Sequence, residues 1–114
     1  MPVSLSLSTD QPDELEKALR TAHSLWQNQS KWNERIRNYA VQELLPLKND
    51  AWLGEGEAEL SADQFDGRMM LESVTVYPDG SFEFWHNDGD LFWGHSIQIG
   101  GTLSEGPTQA DIPG

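Results

Sequence analysis

The strongest constraint on this chain is a change of hydrophobic rhythm at about residue 69. Before it, apolar residues recur every three or four positions. After it they recur every second position, and two Asp-Gly pairs interrupt the alternation. The first pattern places one stripe on a helix and the second one face on a strand. Helices followed by consecutive strands define an α+β fold. We expect one domain over residues 1–114, with a helical region over about 10–45 and an antiparallel β-meander of three to four strands over about 69–112. The helices are expected to form an antiparallel hairpin covering one face of the sheet.

Local signals refine this picture. Thr9 or Asp10 can cap a first helix, with Pro12 in its first turn and Asp13 and Glu14 at the positive end of its dipole. Leu15, Ala18, Leu19, Ala22, Leu25 and Trp26 form its apolar stripe. Asn28–Ser30 breaks the pattern, and a second helix follows from about Lys31 to Leu45. Its apolar side carries Trp32, Ile36, Tyr39, Ala40 and Leu44. Pro46 is expected to end it, because proline lacks the N–H that an interior position donates. Leu47–Leu53 then joins the halves, with Trp52 as a core anchor, and the segment Gly54–Glu59 reads as an exposed acidic loop. Ser61 and Gln64 have capping-box spacing and predict one short helical turn ending at Gly67.

In the β-region Met70, Glu72, Val74 and Val76 share one parity. Pro78-Asp79-Gly80 and Asn87-Asp88-Gly89-Asp90 predict tight turns. Strands are expected over Ser81–His86 and Leu91–Gly100, the latter with Leu91, Trp93, His95, Ile97 and Ile99 on one face. A fourth strand is expected near Thr108–Ile112. Val3, Leu5 and Leu7 alternate with serines and suggest a short strand at the start.

Charge narrows the function classes. The net charge is −12, with six basic and six acidic residues before position 49. From residue 49 onward there are thirteen acids and one base, Arg68. Such a surface repels phosphate backbones and anionic lipid and attracts basic proteins. We therefore expect no nucleic-acid or membrane partner, and a basic protein as the partner if there is one. With no Cys, a disulfide framework, a thiol nucleophile and a Cys-ligated metal are excluded. No apolar run approaches the length of a membrane span, and Met1–Thr9 lacks the pattern of a signal peptide. The expectation is a cytoplasmic protein, monomeric or homodimeric, without a cofactor.

Leu47-Lys48-Asn49-Asp50-Ala51-Trp52, Leu60–Phe65, Asp79-Gly80 and the run Asp88-Gly89-Asp90-Leu91-Phe92-Trp93-Gly94-His95-Ser96-Ile97 resemble a family of uncharacterised bacterial proteins, domain of unknown function 2262. The closing Asp111-Ile112-Pro113-Gly114 is similar to the family's end. The resemblance covers most of the chain and is strongest from about Glu43. It implies no activity and no catalytic residue. In composition such proteins are similar to small acidic immunity proteins of bacterial toxin systems.

Three site readings follow from the residues. In the first, Glu83, Trp85, Asp88, Asp90 and Phe92 form a partner-binding patch on the outer sheet face, aromatic at its centre with an acidic rim. The protein is then an interaction module and not an enzyme, and in its sharpest form an immunity-type protein that neutralises a basic toxin. In the second, Asp88, Asp90 and His95 hold a divalent metal at the centre of a small hydrolase. Against this, Asp is favoured in tight turns for its bonds to nearby backbone, and Asp90 and His95 differ in strand parity. Glu83 with Asp88 or Asp90 is also a conceivable acid/base pair. His95 is expected half-buried, and His86, before a turn, is expected exposed. Ser96 follows His95 directly, so their side chains diverge, and no nucleophile-elbow or phosphate-loop motif occurs.

Overall fold

A computed structural model describes residues 4–7 and 12–113. The expected cap at Thr9 or Asp10 lies outside the described residues. The order of elements is β1 (Ser4–Leu7), α1 (Pro12–Gln27), α2 (Gln29–Ala51), α3 (Ala62–Arg68), β2 (Met70–Val76), β3 (Ser81–Asn87), β4 (Ile97–Thr102) and β5 (Gly106–Asp111). The fold is α+β. The strands form one sheet in the order β1-β2-β3-β4-β5. β2 to β5 are antiparallel neighbours, the expected meander, and β1 adds a parallel edge beside β2.

The inner face of the sheet carries Val74, Val76, Phe82, Phe84, Ile97 and Ile99, all buried. Pairing aligns them in rows: Val76 opposite Phe82, and Val74 opposite Phe84, which faces Ile99. α2 closes over this face. Its buried residues Trp32, Ile36, Ala40, Leu44 and Lys48 are spaced by four, and that spacing keeps them on one side of a helix. Trp32 meets Phe82 edge-on, with ring centroids 5.2 Å apart. Burying each large apolar side chain in this layer contributes about 1.5–3 kcal/mol. The helices join at Asn28 alone, a tighter connection than the expected break over Asn28–Ser30. Beyond it α1 reaches β1 and β2.

Three local expectations change. α2 does not end at Pro46 but continues to Ala51. Proline in a helix interior removes one hydrogen bond and crowds the preceding turn. Here the turn after it is held by the Lys48 ammonium, which is fully buried and donates to the Trp52 carbonyl (2.7 Å) and to Glu57 Oε1 (2.9 Å). In β2 the register slips between Leu71 and Ser73. The slip puts half-buried Leu71 opposite His86 and against the core, and leaves Met70 exposed, so the single parity expected for Met70 through Val76 does not hold. The expected strand from Leu91 begins only at Ile97, because residues 88–94 close into a turn.

Other expectations are met. The Ser61–Gln64 capping box is complete: Gln64 N–H donates to Ser61 Oγ at 3.2 Å, and Ser61 N–H donates to Gln64 Oε1 at 2.8 Å. The fourth meander strand is β5. No helix among the described residues is long and apolar enough to cross a membrane.

Candidate functional site

The 88–94 turn is organised by one carboxylate. Asp88 is almost wholly buried. Its Oδ2 accepts the N–H groups of Phe92 (2.8 Å) and Gly94 (3.0 Å), and its Oδ1 accepts that of Asp90 (3.1 Å). Asp90 and Trp93 take positive φ angles of 66° and 58°. A bulky residue rarely adopts that conformation, which costs of order 1 kcal/mol or more and persists only where the surroundings enforce it. Gly89 lets the turn pass against α3: its φ is 54°, and a Cβ there would run into the Arg68 carbonyl. Arg68 Nε donates to the Gly89 carbonyl at 2.9 Å.

A chain of charged contacts holds this turn to the loop that follows α2. Glu57 accepts from Lys48 and from the Gly54 N–H (2.8 Å), and lies 3.9 Å from Arg68. The Gly54 N–H and the Lys48 ammonium beside Glu57 hold its carboxyl below the usual range. Asn49 brackets Leu60, donating to its carbonyl at 3.0 Å and accepting its N–H at 2.8 Å. Loop 52–60 is thereby pinned at both ends.

These ties bring three aromatic side chains to the surface together. Half-buried Trp52 packs against Trp93 at 4.8 Å between centroids and edge-on to His95 at 5.6 Å. Beneath, it meets Phe92 at 5.4 Å, and Phe92 meets Phe65 at 6.0 Å. Phe92 and Phe65 are fully buried, while Trp93 is 62% exposed. The result is a Trp93–Trp52–His95 group with one ring presented to solvent and the others supporting it. The exposed carboxylates Glu55, Glu59 and Asp90 belong to the two segments that carry it, and exposed Asp50 lies in the last turn of the helix before them.

The patch expected at Glu83, Trp85, Asp88, Asp90 and Phe92 is not one surface. Glu83 and Trp85 lie on the outer sheet face, Trp85 opposite Ser73 and Gln98. Glu83 accepts a hydrogen bond from the Tyr77 hydroxyl, which pushes the phenol's pKa up. Asp90 is exposed on the turn, whereas Asp88 and Phe92 are inside. An alternating strand would have put Phe92 outward; the turn starting at Asp88 rotates it into the core. The same geometry separates Glu83 from Asp88 as an acid/base pair. Asp88 also departs from the metal reading, since three backbone N–H groups hold its oxygens. Among the described residues no three His, Asp or Glu side chains gather where a metal could be held. His95 is half-buried as expected, but against Trp52 and not in line with Trp93 and Ile97 on a strand.

His86 is the other correction. It lies on the inner face, fully buried, with both ring nitrogens lacking a hydrogen-bond partner. Burial pushes its pKa down to about 4; the Arg37 guanidinium adds to this and Asp66 opposes it. Arg37 Nε donates to Asp66 Oδ1 at 2.7 Å, and Nη2 donates to the Asp66 and Met69 carbonyls.

The Trp52–Trp93–His95 convergence is absent from the sequence reading. The signal available was the pair of marks Leu47–Trp52 and Asp88–Ile97, each containing a Trp beside polar residues. The assumption of an extended strand from Leu91 concealed it.

Fold and site define an acidic α+β protein in which the end of α2 and the meander together support an aromatic surface group. The chain belongs to the family described as uncharacterized proteins conserved in bacteria (DUF2262), which matches residues 1–112. No curated protein and no solved structure matches it.

Proposed function

We propose that this bacterial protein is an acidic interaction module that binds a basic protein through the surface centred on Trp93, with Trp52 and His95 beside it. The observation that carries the reading is Trp93 itself: 62% exposed, at φ 58°, on a turn braced by Asp88 and Arg68. An exposed Trp held rigid loses little entropy on binding, and such residues dominate interface energies. The charge supports the choice of partner. Arg68, the single base among residues 49–114, is spent on Gly89 and Glu57, so the exposed acids of that region, Asp50, Glu55, Glu59 and Asp90 among them, meet no competing surface cation from it. The sharpest form of the proposal is an immunity-type protein whose carboxylates occupy the basic, phosphate-binding surface of a nucleic-acid-cutting toxin.

The test is co-purification with the products of adjacent genes, followed by titration of the recovered partner. A basic partner is expected, with affinity falling about tenfold or more between about 50 and 300 mM NaCl. Trp93→Ala is expected to weaken it about thirtyfold while leaving the fold intact. A partner bound with no salt dependence, or bound equally by Trp93→Ala, would defeat the proposal.

A further inference from the structure

A second surface lies on α1, away from the aromatic group and independent of the proposal above. Ala18, Thr21, Ala22 and Leu25 of α1 are buried. Leu15, Leu19 and Trp26 are not: they remain 38%, 49% and 69% exposed. At about 100° per residue, Leu15, Leu19 and Trp26 fall within about 40° of one another around the helix, next to the buried Ala22. They form a second apolar stripe beside the buried one, and the fold covers only one of the two.

The charge distribution selects what covers the other. The whole net charge of −12 resides in residues 49–114, and residues 1–48 are neutral. Two copies of this chain repel each other through their β-regions. That cost is smallest through the helical half, where the uncovered stripe lies. The acids of α1 sit in its first part, at Asp13, Glu14 and Glu16, with Lys17 and Arg20 behind them. A parallel pairing would bring the two acidic turns together; an antiparallel one separates them by nearly the helix length, about 24 Å. In antiparallel register Leu15 faces the second copy's Trp26 at each end of the stripe, and the two Leu19 side chains fill the space between them. The arrangement repeats itself across a two-fold axis, as a closed dimer requires.

We propose that α1 is a homodimerisation surface, with Leu15, Leu19 and Trp26 packed antiparallel against the same residues of a second copy. One short helix face falls below the ~800 Å² per partner of a standard interface, so the dimer is weak, with a dissociation constant of tens of micromolar in order of magnitude. Because its electrostatic term is repulsion between acidic bodies, added salt strengthens it.

Sedimentation equilibrium of the full chain, from about 5 to about 500 micromolar, decides the matter. The mass is expected to rise from 12.8 kDa toward twice that value. The association constant is expected to increase about threefold or more between about 50 and 500 mM NaCl. Leu19→Glu and Trp26→Glu, both at exposed positions, are expected to stay monomeric with unchanged circular dichroism, whereas Trp93→Ala dimerises as the parent does. A chain monomeric throughout would overturn the proposal. So would glutamate variants that associate like the parent, or an association weakened by salt.

Discussion

Gly89 stands where two requirements coincide, a positive φ and contact with the Arg68 backbone. Either alone disfavours a side chain; together they leave no space into which a methyl group could relax. Gly89→Ala is expected to cost about 2 kcal/mol or more in urea denaturation, partly by lifting the turn off α3. His86 makes a different prediction, in pH. Its folded pKa of about 4 lies below the unfolded value of 6.5. As pH falls, the unfolded chain takes up the proton before the folded one, so the stability present above pH 6.5 is lost progressively down to about pH 4. The loss attributable to His86 between pH 8 and pH 5 is about 2 kcal/mol. Denaturation of the parent and of His86→Phe at both pH values isolates it, since the variant should lack that part of the slope. Placement of a histidine before a turn signals exposure; only the slip at Leu71 and the packing of α2 and α3 over the strand end reveal that this one is enclosed.

At the scale of elements, α2 is the organising piece, and its last turn is the part that propensity misreads. Pro46 predicts a stop, and in an isolated peptide the helix would weaken there. In the protein, Lys48 and Asn49 lie beyond it and are satisfied by Trp52, Glu57 and Leu60, partners up to eleven residues further along. Tertiary hydrogen bonds outweigh the local penalty. Lys48→Met keeps the apolar stem but removes the donor. It is expected to speed amide hydrogen exchange at Gly54, Glu57 and Leu60 and to release Trp52 from Trp93. The matching readout is a change in tryptophan fluorescence that Asn49→Ala partly reproduces. By contrast the capping box at Ser61 was legible residue by residue, because both of its bonds lie within four positions of the chain. The meander was legible for the same reason: its first turn is closed locally by bonds from Ser81 to Asp79.

On the scale of the molecule, 53 Å long and about 25 Å across, the two proposed surfaces respond oppositely to salt. Binding of a basic partner at Trp93 is expected to weaken as salt rises, and pairing through α1 to tighten. This contrast follows from one property of the chain, the gathering of its whole net charge behind residue 48. It also keeps the two tests separable: Trp93→Ala acts on the first and Leu19→Glu on the second. The N-terminal strand adds to the same scale. β1 pairs in parallel with β2, which obliges the three helices to form a crossover between them.

The amino-acid order by itself determined the helices-then-strands plan, the capping box, the turns at Gly80 and Gly89, the family and the uneven charge. Each of these depends on residues close in the chain or on composition alone, so no knowledge of the packing is needed to see it. Tertiary structure decided the rest. It carried α2 through Pro46, turned Phe92 and His86 inward, slipped β2 at Glu72 and set Trp52 against Trp93. Those outcomes rest on contacts between residues far apart in sequence. Their strength depends on burial and on which neighbours arrive, and neither is encoded in the pattern around any one residue.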